Sequence, residues 1–186
     1  TLAQVFADSG HEVLVYEINS KYRAEINEHK HPIFKAPLSA NIKATDSLKE
    51  SALFSEIIVI SLPTKFIRSV LLELSAYLVY PVSFINTSKG LEEDSLLPVC
   101  EIVKQSIKNA LLKDYAALIG PSYAEELILK KITFLTAASV NLEFAKTVQK
   151  LIEKSRYVIT YRTKDVIGCE VAGIGKNALA IVSGIM

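Results

Sequence analysis

The sequence predicts an α/β protein: an open, largely parallel sheet with helices on both faces. Runs of strand length, rich in β-branched and aromatic residues, recur along the chain. Between them lie amphipathic stretches with their own caps, and strands alternating with helices imply right-handed crossovers. Composition agrees. Half of the 186 residues are hydrophobic, 22% are charged, and there are only seven glycines and six prolines. A disordered, collagen-like or low-complexity chain could not bury enough apolar surface to offset its ordering entropy, and this one can.

Residues 1–9 read as a helix already in progress, ended by Gly10 as a C′ glycine. The chain then turns into a strand at 13–17. A second strand at 57–62 is apolar at nearly every position, which predicts cover on both faces. A third follows at 82–86. Ser95 is placed to cap a helix starting at Leu96, with Pro98 in its first turn and Leu97, Cys100, Val103, Ile107 and Leu111 as its apolar stripe. Strands at 116–119 and 132–138 come next. Asn141 then caps a helix running to about Lys154, with Leu142, Ala145, Val148 and Ile152 inward. A strand at 157–161 completes the alternation, which stops at 162–164 and gives way to a long helical stretch.

Several function classes are excluded or disfavoured. A net charge of +1 provides no field for nucleic acid or an anionic membrane. The longest apolar runs fall far short of the roughly 18–20 residues of a membrane span. No basic region followed by an apolar signal segment opens the chain, and Cys100 and Cys169 are too few for a disulfide or zinc framework. A reducing, cytoplasmic setting is expected. The first residue is Thr, and residues 178–186 form an apolar helical pattern with no stop, so the chain reads as a piece of a longer protein.

In such a sheet, ligands bind outside the carboxyl ends of the strands. Three segments should lie there side by side: Pro63-Thr64-Lys65-Phe66, Thr87-Ser88-Lys89-Gly90 and Gly120-Pro121-Ser122-Tyr123-Ala124. They provide a cation, hydroxyls, glycines for close backbone approach, and a helix N-terminus after Pro121 with free N–H groups for an anion. Glu17, after Tyr16 at a strand end, is suited to accept hydrogen bonds from an adenosine ribose and would repel a 2′-phosphate. The stretch from Val171 to Gly184 has no polar face, so its parent structure should bury it. Lys176 and Asn177 must then face a polar cavity, because burying them unpartnered costs several kcal/mol. A desolvated lysine has a lowered pKa suited to acid–base work. His29 and His31 lack the further ligands of a metal site, so no metal is expected. Gly120-x-Ser122-x-Ala124 has the form of a hydrolase nucleophile elbow, but all three histidines precede Ser122, against that fold's order.

These residues together resemble the NAD(P)-dependent glycerol-3-phosphate dehydrogenases over essentially all 186 positions. The resemblance rests on Leu2-Ala3-Gln4 with Gly10-His11-Glu12-Val13, Asn41-Ile42-Lys43-Ala44-Thr45 and Leu62-Pro63-Thr64. It continues through Ser88-Lys89-Gly90, Gly120-Pro121-Ser122-Tyr123-Ala124-Glu125-Glu126, Asp165-Val166-Ile167-Gly168-Cys169-Glu170 and Lys176-Asn177. It implies a Rossmann-type doubly wound sheet over 1–163, with the first strand and Gly-rich loop missing, and the opening helix of an all-α C-terminal domain over 164–186. It implies Lys176 as the catalytic acid–base, and Lys89, Gly120, Ser122, Lys176 and Asn177 as substrate-binding. Tyr16, Glu17, Phe66, Lys89 and Ala124 are implied as cofactor-binding. The substrates implied are dihydroxyacetone phosphate and sn-glycerol 3-phosphate, supplying phospholipid synthesis, with a homodimer as the full-length form. Ile18 stands where bacterial members carry an arginine for a 2′-phosphate, so NAD(H) is favoured, with NADP(H) as the alternative. Gly175 replaces the usual leucine before the lysine, costing about 1 kcal/mol of helix propensity relative to alanine. Another dehydrogenase of the β-hydroxyacid type would share the sheet and the helical Lys–Asn pair. A non-catalytic dinucleotide sensor would share the sheet alone.

Overall fold

The computed structural model describes residues 1–185, with the side chains of residues 176–180 outside the described set. Strands and helices alternate as α1 (Leu2–Asp8), β1 (Val13–Tyr16), α2 (Ser20–Asn27), β2 (Ile42–Thr45), α3 (Leu48–Phe54) and β3 (Ile57–Ile60). They continue as α4 (Thr64–Ser75), β4 (Val82–Asn86), α5 (Val99–Ser106), a 3-10 turn (Asn109–Leu111), β5 (Leu112–Ile119) and α6 (Ala124–Ile128). The order closes with β6 (Thr133–Ala138), α7 (Leu142–Glu153), β7 (Val158–Thr163) and α8 (Val166–Ile185).

The strands form a five-stranded sheet of order β3-β4-β5-β6-β7 and a separate parallel pair, β1-β2. Within the larger sheet only β5 and β6 run antiparallel, Ala117 facing Ala138 and Ile119 facing Thr136. The expected largely parallel sheet is therefore present, with one reversal and one break. At the break, β1 and β3 each have a strand partner on one side only. Between them lies a slot of about 480 Å³, walled by Val13, Val15, Ile58 and Ile60 and floored by Phe6 and Leu71.

The core lies on both faces of the sheet, as strand period 2 dictates. In β4, Val82 and Phe84 join Ile67, Leu71 and Leu74 of α4 and Ile102 and Val103 of α5. Ile85 points the other way, to Val5 of α1 and Ala145, Val148 and Ile152 of α7. Helix starts follow the expected capping chemistry at Asn141, whose side chain accepts from the Glu143 N–H. Asn19 and Ser47 cap α2 and α3 in the same way. Gly10, at φ +93°, follows α1 in the left-handed region that favours glycine.

Four expectations are corrected. The helix placed at Leu96 begins at Val99 instead. Leu97 precedes Pro98, whose ring disfavours helical backbone at that residue, and Leu96 takes φ +56°. Leu142 is exposed and Phe144 takes its inward place. By the 3.6-residue period, Leu142 falls about 100° from the centre of the buried face of α7. β2, whose Ile-Lys-Ala-Thr sequence carries little apolar signal, is an additional strand. β3 is half-buried except at Ile60, because the slot leaves one of its edges without a neighbour.

Candidate functional site

β3, β4 and β5 are adjacent and parallel, so their carboxyl ends share one edge. The loops that follow are bonded to one another. The backbone N–H and hydroxyl of Thr87 both donate to the Ile60 carbonyl at 2.9 Å. The Leu62 N–H donates to the Ser88 hydroxyl at 3.0 Å. A Cβ at Gly90, where φ is +127°, would lie 3.2 Å from the Thr64 side chain. At Gly120 a Cβ would lie 2.3 Å from the Phe134 carbonyl oxygen, so only glycine lets β6 pass there. A Cβ at Gly173 of α8 would fall 2.9 Å from Ile119 Cγ2 and 3.9 Å from Lys89 Cγ. The three expected loops and the last helix therefore meet at one edge of the sheet.

The expected site residues divide by position. Lys89 is exposed, on a loop that Asn86 holds from beneath: the Ser88 N–H donates to Asn86 Oδ1 at 2.9 Å. Phe66 is half exposed at the first turn of α4. Tyr16 and Glu17 close β1 on the far side of the slot, where the Glu17 carboxylate accepts from the Asn19 N–H at 2.8 Å. Gly120 lines a second cleft of about 400 Å³ with Thr136, Cys169, Ala172 and Gly173. Ser122 and Ala124 follow it at the head of α6. Lys176 and Asn177 belong to α8, but their side chains lie outside the described residues.

The helix N-terminus expected after Pro121 is that of α6, which has no side-chain cap. α6 has only five residues, and Glu125 and Glu126 in its first turn already place negative charge at its positive end. Of the three histidines open to the hydrolase reading, His31 is buried and bonded to the Thr1 hydroxyl at 3.0 Å. His31 Nδ1 also accepts from the Ile33 and Phe34 N–H groups. Among the described residues, no group of His, Cys, Asp and Glu is arranged to hold a metal.

Two features were not expected as site residues, although Glu170 ends one of the segments on which the family resemblance rests. Arg23 of α2 donates to the Glu17 carbonyl at 3.0 Å and pairs with Asp46 at 2.9 Å, so its charge is balanced locally. The other is Glu170, only 4% exposed. It accepts from Asn86 Nδ2 at 2.9 Å, from the Tyr115 hydroxyl, and from the Cys100 N–H at 3.3 Å. Burial, reinforced by the nearby Glu170 carboxylate, pushes the Tyr115 phenol upward and the Cys100 thiol up to about 12. Cys169 is raised for the same reasons, so neither cysteine is a thiolate nucleophile at neutral pH.

A doubly wound sheet with glycine-bearing loops and a cation at its carboxyl edge defines a Rossmann-type domain. The N-terminal family model of NAD-dependent glycerol-3-phosphate dehydrogenase matches residues 1–145, and the chain belongs to that family. A curated NAD(P)+ glycerol-3-phosphate dehydrogenase of Onion yellows phytoplasma (strain OY-M) is 48% identical over all 186 residues, which cover 56% of its own length. The corresponding protein of Acholeplasma laidlawii (strain PG-8A) is 46% identical over the same span. The chain thus spans about half the length of the curated relatives it matches. Among solved structures, the glycerol-3-phosphate dehydrogenase of Coxiella burnetii superposes with a TM-score of 0.86 at 27% identity, over 99% of this chain and 56% of that one.

Proposed function

We propose that these residues are the cofactor-facing part of an enzyme that interconverts dihydroxyacetone phosphate and sn-glycerol 3-phosphate with NAD(P)(H). In this reading residues 1–163 are the dinucleotide domain and 164–186 open a helical substrate domain. The observation that carries it is the meeting of Lys89, Gly120 and α8 at the carboxyl edge of β3, β4 and β5. The slot between β1 and β3 has the place and the apolar walls for one further parallel strand, followed by a Gly-rich phosphate loop.

The residues at this edge suit a dinucleotide. Gly90 and Gly120 allow backbone approach, Phe66 offers an exposed ring, and Glu17 stands at the end of β1 for a ribose. NAD(H) is favoured over NADP(H), since Glu17 is acidic and Arg23 is already paired with Asp46. When bound, the nicotinamide supplies or accepts the hydride. Lys176 donates a proton to the oxygen on C2 of dihydroxyacetone phosphate during reduction and accepts it back during oxidation. Its positive charge also stabilises the developing alkoxide. Lys89 adds positive potential that holds the anionic substrate, with Ser122 and Asn177 as hydrogen-bonding neighbours. Among the described residues no helix is long and apolar enough to cross a membrane. A cytoplasmic homodimer that supplies phospholipid synthesis fits this reading.

The test is NADH oxidation by the full-length enzyme with dihydroxyacetone phosphate, beside 2-keto acids and with 3-hydroxy acids in the reverse direction. Lys176→Ala is expected to lose most of kcat with little change in NADH affinity. Turnover of the acids alone would assign the chain to another hydroxyacid dehydrogenase. Unchanged turnover in Lys176→Ala would remove that lysine from the chemistry.

A further inference from the structure

We infer that Glu170 is a positioning residue that locks α8, the helix carrying Lys176, to the loop carrying Lys89 through the side chain of Asn86. The inference rests on the catalytic reading of those two lysines. Burying a carboxylate is costly unless its oxygens are hydrogen-bonded, and an apolar residue would hold a helix to a sheet more cheaply. Glu170 is buried nonetheless, and its donors come from three different elements. Asn86 belongs to β4, Tyr115 to β5 and Cys100 to the first turn of α5. What the carboxylate adds over an apolar contact is direction: these donors fix the rotation of α8 about its own axis as well as its distance from the sheet.

Asn86 makes this lock specific to the site. It is fully buried and its amide faces two ways. Nδ2 donates to Glu170 and, at 3.3 Å, to the Ser88 carbonyl, while Oδ1 accepts from the Ser88 N–H. The residue immediately before Lys89 is thus tied to the same amide that grips α8. Three residues after Glu170, Gly173 brings the helix backbone against Ile119 and the Lys89 stem. Lys176 follows Gly173 by three residues. A change in the rotation of α8 at Glu170 would therefore alter the placement of the two lysines relative to each other. Misplacement by about 1 Å is enough to cost on the order of 100-fold in rate.

The experiment uses the full-length enzyme carrying Glu170→Leu, which keeps the packing and removes the acceptors, and Glu170→Gln, which restores an acceptor for Asn86. Glu170→Leu is expected to lower kcat by about 10- to 100-fold. NADH affinity should stay near the parent value while the thermal midpoint falls, because buried donors lose their acceptor, and Glu170→Gln should recover most of the rate. In a Lys176→Ala background Glu170→Leu should add less than about twofold, because the two changes act on one step. Amide exchange should accelerate at residues 88–90 in Glu170→Leu, a readout that needs no turnover. If Glu170→Leu fails to fold, Tyr115→Phe removes one donor from the same carboxylate and is expected to give a smaller loss in the same direction. Full kcat with unchanged exchange at 88–90 would overturn the inference, as would a rate loss of equal size in the Lys176→Ala background. A parent enzyme inactive on dihydroxyacetone phosphate would instead strike the catalytic reading, and the exchange measurement would still decide the lock.

Discussion

β3 and β4 are neighbours in one sheet, and their burial runs opposite to their composition. β3 reads Ile-Ile-Val-Ile, yet only Ile60 is buried. β4 contains Ser83 and Asn86, and all five of its residues are buried. The difference lies in what flanks them: β4 has strands on both sides, whereas β3 faces the slot. Apolar content reports the environment a strand is built for, and pairing decides the environment it has. β4 can bury the amide of Asn86 because it is bonded to Ser88 and Glu170.

The largest loss is expected in β4, at Phe84. Phe84→Ala should destabilise the chain by about 3–5 kcal/mol, the usual cost of emptying a packed aromatic site, measured by denaturant unfolding. Ile58→Ala in β3 should cost less than half as much in the 186-residue chain. In the full-length protein its cost should rise to about 2–4 kcal/mol, if a further strand fills the slot. Equal costs for Ile58→Ala in both proteins would show that nothing occupies it. Gly120→Ala, at the end of the strand beyond β4, should cost about 1–3 kcal/mol, because the new methyl meets the Phe134 carbonyl and not a flexible side chain. Thermal melting reads that directly.

Acid should separate the two sides of the slot. All three histidines precede β2, and burial pushes the His31 imidazole down to about 4. The unfolded chain binds that proton near pH 6.5, so the neutral form stabilises the fold above that value. This contribution is lost as the pH falls from 6.5 towards 4. Amide exchange around β1 and β2 should accelerate across that window before exchange in β4 does, and His31→Gln should flatten the difference. The smallest effect is expected at Arg68, whose guanidinium pairs with Glu92 through two bonds of 2.7 Å beside the site loop. That pairing holds Glu92 down to about 2, so its stabilisation is complete above the ordinary carboxylate pKa and fades as pH falls towards 2. Arg68→Met should lower the melting midpoint slightly at pH 7, and the gap should close in strong acid.

Much of this was legible in the chain. The strand periods, the Asn141 cap and the glycine after α1 are local signals, and the structure bears them out. The convergence of Thr64, Lys89 and Gly120 followed from topology alone, since parallel neighbours must share a carboxyl edge. The misses have physical causes. Ser95 has the chemistry of a cap, but the restriction that Pro98 places on Leu97 outweighs it, and α5 starts at Val99. The reversal of β6 against β5 depends on long-range pairing, which no short window of sequence contains. Glu170 belongs to a segment that carries the family resemblance, but nothing local to that segment says what its carboxylate bonds. Its role emerges only because β4, β5 and α5 each bring a donor to one point.

The anchorage of α8 also makes that helix a lever. From Glu170 to Lys176 is six residues, about 9 Å along the axis, and from Glu170 to Ile185 about 22 Å. A tilt of about 5° at the fulcrum would move the backbone at Lys176 by nearly 1 Å, and the far end by about 2 Å. Whatever packs on the outer part of α8, where Ile181 and Ile185 are exposed, thus has the longer arm over the shorter one that reaches the chemistry. Small displacements at the distal end arrive at the lysine reduced rather than amplified. The site is geared down against the motions of its own far end.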